Sequence, residues 1–149
     1  MSNSLPQGSG LPVALRDLAV PILCSKAVFW DNLGIGQPQG TSVASGETNL
    51  QIRADHPLAA GRRGEITVTS QRRPFALGVP VPAAIRVATI VEETNEVLIF
   101  GLEKGAEARF GPSPARRVGW FAQEATYLSL NENGWALFDA AVRWLTTGP

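Results

Sequence analysis

The chain has 149 residues, of which 44% are hydrophobic and 17% charged, with 13 Lys+Arg against 13 Asp+Glu. That length fits one domain with a real core, and zero net charge argues against a polyphosphate partner or an anionic membrane surface. No apolar stretch reaches the roughly 18 residues of a membrane span, the first ten residues lack the order of a signal peptide, and Cys24 has no second cysteine to pair with. The expectation is a soluble, cytoplasmic protein with no nucleic-acid and no membrane partner.

Residues 1–14 carry Pro6, Gly8, Gly10 and Pro12 among serines and read as a flexible arm ahead of a single domain over 15–149. Ala19 to Cys24 is a continuous apolar run, as in a strand buried on both faces, with Pro21 best placed at its start or on an edge. Ala27 to Leu33 allows one or two helical turns. Residues 37–48, rich in Gly, Ser and Thr, read as a surface loop.

Asn49 to Ala54 and Glu65 to Ser70 alternate apolar and polar residues, the pattern of half-buried strands. Ile85 to Val91 and Val97 to Leu102 flank a polar connector and predict an antiparallel hairpin. Gly111, Pro112 and Pro114 mark a further loop, and Arg117 to Ala122 a last strand. Asn131 caps a predicted helix running to about Thr146, with Gly148 as its stop. Trp135, Leu137, Phe138, Ala141, Val142, Trp144 and Leu145 form its expected buried face. The pattern is α/β: a mixed parallel/antiparallel sheet with a C-terminal helix packed on it.

Three segments, LRDLAVPILCSKAVFWDNLGI, NLQIRADHPLAAG and ARRVGWFAQEATYLSLNENGWALFDAAVRWL, follow one another in the order of a bacterial group of glutamine-amidotransferase-like domains related to the ThuA-like proteins. The chain resembles that group over roughly residues 15–146. The resemblance implies a flavodoxin-like sheet with an antiparallel addition. The family's opening βαβ half would precede Arg16, so the chain looks like the C-terminal portion of the fold, as a natural minimal version or a fragment. A sheet without that half has a raw edge, which predicts a homodimer in contact through Ala19–Cys24 or through Phe29 and Trp30.

The same resemblance places the amidotransferase nucleophile at Lys26, where ThuA-like proteins resemble Trp-Glu-Pro and this chain reads Ser25-Lys26-Ala27. Cys24 is two residues early, and the glycines of a nucleophile elbow are missing. Glutaminase chemistry is therefore not expected. His-Pro-Leu-Ala-Ala-Gly resembles a ThuA-like turn, with His56 at its head.

Ligands of open α/β sheets sit beyond the carboxyl ends of the strands. Those ends supply Ser25, Lys26 and Asp31 on one side, and Gln123, Glu124 and Thr126 on the other. If the two strands are neighbours, Lys26 and Glu124 face one crevice, and a lysine against a carboxylate activates Ser25 or orients a polar substrate. The simpler reading is an ordinary ion pair or a solvated turn. Asp55-His56 has the makings of a catalytic dyad; the favoured reading is that Asp55 starts a turn and His56 packs or caps it.

Trp30 is the tryptophan expected to line a pocket or an interface. The Arg pairs 62–63, 72–73 and 116–117 form an anion patch or, more simply, solvated loop ends. One His and one Cys exclude the usual zinc sites. Glu92, Glu93 and Glu96, or Glu124 with Asn131, Glu132 and Asn133, offer oxygens to calcium without the EF-hand order, so no cofactor is expected and calcium is the only metal to weigh.

Two functions compete: an amidotransferase-like scaffold that binds a small polar molecule and self-associates, or a small hydrolase of an ester, lactone or amide. The hydrolase would use Ser25, Lys26, His56 and Glu124 as catalytic groups, with Trp30, Asp31, Gln123 and Thr126 binding substrate.

Overall fold

The computed structural model describes residues 11–92 and 95–147. The expected stop at Gly148, the connector residue Glu93 and the arm over 1–10 lie outside these. Residues 11–14 of the expected arm are helical, within α1 (Leu11–Arg16).

The chain is α/β, with a mixed sheet built mostly of antiparallel strands. In chain order the strands are β1 (Ile22–Cys24), β2 (Gly36–Glu47), β3 (Asn49–Ile52), β4 (Gly64–Thr67), β5 (Arg73–Pro80), β6 (Ile85–Thr89), β7 (Val97–Leu102), a two-stranded hairpin of β8 (Glu107–Ala108) and β9 (Gly111–Pro112), and β10 (Arg117–Gly119). Two helices follow, α2 (Glu124–Tyr127) and α3 (Glu132–Thr146). The main sheet runs β1-β10-β7-β6-β3-β4, and β5 joins β2 to β7. Only β1 and β10 pair in parallel among the described strands.

The expected 37–48 loop is corrected: it is β2, antiparallel to β5 with two register shifts. Its Gly, Ser and Thr residues carry no apolar alternation, and the backbone ladder with β5 holds it instead. The partner β5 has Pro74 and Pro80 near its two ends, where a missing N–H costs little. The hairpin of β6 and β7 forms as expected.

Every residue of β7 is buried, so it is the central strand. One face of the sheet packs Leu50, Leu58, Leu98, Val118 and Trp120 under Leu137, Ala141 and Trp144 of α3. The other face holds Ile22, Cys24, Phe29, Trp30, Ile35, Phe100 and Leu102. Gly119 pairs with Phe100, and a Cβ there would come within 2.0 Å of the Phe100 ring. A Cβ on Gly101 would meet Leu58 and Trp144 at 2.8 and 2.9 Å. Both glycines are set by the aromatic side chains that lie across them.

Asn131 caps α3, its side chain accepting from the Gly134 N–H at 3.1 Å. The buried face of α3 differs from the expected one. Gly134, Leu137, Ala141, Trp144 and Leu145 are buried, Phe138 is half-buried, and Trp135 and Val142 are exposed. The small Gly134 and Ala141 let the helix approach the sheet closely, which turns the Trp135 stripe outward.

Candidate functional site

Two regions flank the parallel pair. At the carboxyl ends, Ser25 follows β1 and is buried; its Oγ lies 3.4 Å from the Tyr127 hydroxyl of α2. Burial pushes the Tyr127 phenol up, against the opposing pull of Ser25 and Trp120. The Trp120 indole N–H is near enough to lower that pKa, yet it forms no hydrogen bond among the described residues. Rings of Trp120, Tyr127, Phe138 and Trp135 close this end as a chain of edge and tilted contacts.

The remaining strand-end candidates are dispersed. Lys26 is half-buried with its ammonium 5.0 Å from the Phe29 ring centroid. Glu124 is exposed, forms no ion pair among the described residues, and shares with Gln123, Ala125 and Leu128 a depression on the outer side of α2. Trp30 is fully buried; its indole donates to the Cys24 carbonyl at 2.9 Å and its ring meets Phe100 edge-on. Thr126 is fully buried and donates to the Pro74 carbonyl at 2.8 Å. Neither has surface to offer a substrate, which corrects their expected binding role. Asp31 pairs with Arg109 at 3.6 Å. Cys24 is fully buried, and burial pushes its thiol up, the reverse of an activated nucleophile.

At the other end, next to the start of β10, lies a cleft of about 780 Å³ between residues 56–61 and α3. Arg116, the residue before β10, is its structural keystone. It pairs with Glu103 at 2.7 Å, donates to the Trp144 carbonyl at 2.7 Å and to the Thr147 carbonyl, and lies 4.7 Å from the Trp144 ring centroid. A cation on the last carbonyls of α3 also complements the helix dipole.

His56 stacks edge-on against Trp144 at 5.5 Å. Its Nδ1 accepts from the Leu58 N–H at 3.2 Å and so caps the short turn Pro57–Ala59. An accepting Nδ1 leaves the proton of the neutral ring on Nε2. Burial pushes the imidazole below its ordinary pKa; Glu103 opposes this and Arg116 adds to it. Asp55 turns away to Arg63, 2.6 Å distant and exposed, so the Asp55-His56 dyad does not form and His56 is a capping residue. His56 and Ser25 do not share a cleft.

The arginine pairs do not make a common anion patch. Arg62 donates to Asn133, Arg63 to Asp55, Arg72 to the Gly46 carbonyl and Arg73 to Ser129. Arg117 is buried and donates to the carbonyls of Arg16, Leu18 and Val20, with burial lowering its pKa. Among the described residues no three His, Cys, Asp or Glu side chains gather to hold a metal ion, and no helix is long and apolar enough to cross a membrane.

Sequence reasoning missed Glu103, Asp139 and Arg143 as lining groups. Their one advance signal is the polar pair Asp139 and Arg143 beside the small residues Ala136 and Ala140 on one helix. No family model matches the chain, and no curated protein and no solved structure matches it.

Proposed function

We propose that this chain is an amidotransferase-like scaffold without amidotransferase chemistry, which binds a small polar molecule in the cleft between residues 56–61 and α3. The cleft carries the reading: it is concave, floored by Ala60, Gly61, Ala136 and Ala140, and walled by His56, Trp144 and charged groups. Clefts of this size with a few convergent polar groups and a perturbed histidine are the usual setting of a ligand. The amidotransferase-like part rests on the three segments quoted above. The buried Cys24 agrees with the lack of glutaminase chemistry.

The hydrolase reading has weaker support. Ser25 has beside it a phenol whose pKa is raised, which is no base at neutral pH. Self-association belongs to the same proposal. β1 is an edge strand, and Leu18, Val20 and Val28 around it are exposed, whereas Phe29 and Trp30 are buried, which supports the contact through Ala19–Cys24 over the other. Sedimentation at micromolar concentration tests it: a two-fold dimer is expected, and a monomer removes it.

Ala140 tests the cleft. It is half-buried on the cleft side of α3, so Ala140→Leu fills the space without entering the core. Calorimetric titration of a panel of small amides, carboxylates and amines should show binding to the wild type that is lost in Ala140→Leu, at an unchanged melting temperature. Equal binding by both proteins would remove the cleft from the account.

A further inference from the structure

We infer that this cleft selects small zwitterions whose ammonium and carboxylate are separated by about one helical turn, as in an ω-amino acid. The inference rests on the proposal that the cleft binds a small polar molecule, and it names the chemical class.

Among the described residues the lining charges balance. Arg116 and Arg143 stand against Glu103 and Asp139, and the His56 imidazole accepts the Leu58 N–H at Nδ1, a bond that the neutral ring makes. A purely anionic or cationic ligand therefore gains no net field from the walls. The charges are not equally available. Arg116 and Glu103 satisfy one another, and Arg116 is further committed to the Trp144 and Thr147 carbonyls. The side chains of Asp139 and Arg143 have no hydrogen bond or ion pair among the described residues, although both residues line the cleft. They stand four residues apart on α3, so their Cβ atoms are about 5–6 Å apart.

A third group completes the set. With Nδ1 engaged by the Leu58 N–H, His56 presents Nε2–H as a donor, and no described residue accepts from it. The cleft thus offers an acceptor carboxylate at Asp139, a cation at Arg143 and a neutral donor at His56. A ligand ammonium meets Asp139, and a ligand carboxylate meets Arg143 and the His56 donor. In an α-amino acid both charges sit on one carbon, a span shorter than the about 5–6 Å between the two Cβ atoms, so reaching both groups requires Arg143 to bend toward Asp139. An ω-amino acid with a few methylenes between its charges spans them. The methylenes lie against Ala136, Ala140 and the Trp144 ring.

The test is a titration of the whole chain followed by backbone amide NMR. Probes are glycine, 4-aminobutanoate and 5-aminopentanoate, with butanoate, butylammonium and acetamide as controls. The longer zwitterions should shift the amides of residues 56–61 and 136–147 and bind at least tenfold tighter than glycine, butanoate or butylammonium. Asp139→Asn and Arg143→Gln should each weaken 4-aminobutanoate about tenfold. His56→Asn keeps an acceptor for the Leu58 N–H while deleting the Nε2–H, and should weaken it less. Melting curves confirm that each variant is folded. Butanoate or butylammonium binding as tightly as 4-aminobutanoate, or insensitivity to both α3 variants, would overturn the zwitterion inference. If acetamide or butanoate alone shifts the cleft amides, the inference falls while the cleft stands as a binding site. If no probe shifts them, both fall.

Discussion

The two ends of the parallel pair β1/β10 contrast in how their polar groups are used. At the carboxyl end Ser25, Tyr127 and Trp120 are packed inside an aromatic wall, and the short α2 lies across them. At the amino end, Arg116 and Glu103 neutralise each other and leave open a cleft that His56, Asp139 and Arg143 face. The general rule sends ligands to the carboxyl ends of parallel strands. That rule assumes helices that cross over and leave a crevice there. Here the one parallel pair among the described strands forms the edge of an otherwise antiparallel sheet, and the chain turns from β10 into α2 over the carboxyl end. The cleft lies instead where the end of α3 meets the turn after β3.

This contrast predicts that substitutions at the closed end cost stability, whereas those at the open end cost ligand. The largest effect is expected for Trp120→Ala. The side chain is fully buried between Phe121 and Phe138, and its loss should destabilise by about 3–5 kcal/mol. Chemical denaturation measures this, and a loss below about 1 kcal/mol would show that the closed end is not packed as described.

Arg116→Ala comes next. It removes the guanidinium from Glu103 and from the last carbonyls of α3, which should cost about 1–3 kcal/mol. Because Arg116 braces the Trp144 wall, the variant should also weaken any cleft ligand. A variant of wild-type stability would separate the cleft from the keystone assigned to it.

A smaller, pH-dependent effect belongs to His56. Its folded pKa is depressed, chiefly by burial, with Glu103 opposing and Arg116 assisting. Below about pH 6.5 the unfolded chain takes up the proton more readily than the folded one. The contribution of His56 is therefore fully present above that pH and is lost as pH falls through the folded pKa. Protonation also places a hydrogen on Nδ1, against the Leu58 N–H. Melting temperature should fall on acidification through this window more steeply in the wild type than in His56→Asn; equal slopes would contradict the assignment. The smallest effect is expected for Tyr127→Phe, which removes one long contact to Ser25. A cost of about 1 kcal/mol or less is expected, with binding in the open cleft unchanged.

Much of the fold is legible in the sequence where periodicity and burial agree. Leu50 and Ile52 alternate into β3, Val97 to Leu102 read as one arm of an antiparallel hairpin, and Asn131 marks the start of α3. The pair β2/β5 is not legible, because backbone bonds hold the Gly- and Ser-rich chain of β2, and β5 carries Pro74 and Pro80, which are rare inside strands. The rotation of α3 was also hidden. Two adjacent apolar stripes fit the same period, and the choice depends on how closely Gly134 and Ala141 let the helix approach. At the site, His56 as a turn cap is legible from Asp-His-Pro. The cleft is not, because its charged walls come from residues 103, 116, 139 and 143, which only the tertiary fold brings together.

The central claim is that ligand binds at the open end and not at the closed one. Backbone amide shifts on addition of a small-polar-molecule panel, assigned residue by residue, test it most directly. The account predicts saturable shifts confined to residues 56–61, 103, 116 and 136–147. Shifts centred on residues 24–26 and 120–128, with the cleft silent, would contradict it and return the site to the carboxyl ends of β1 and β10.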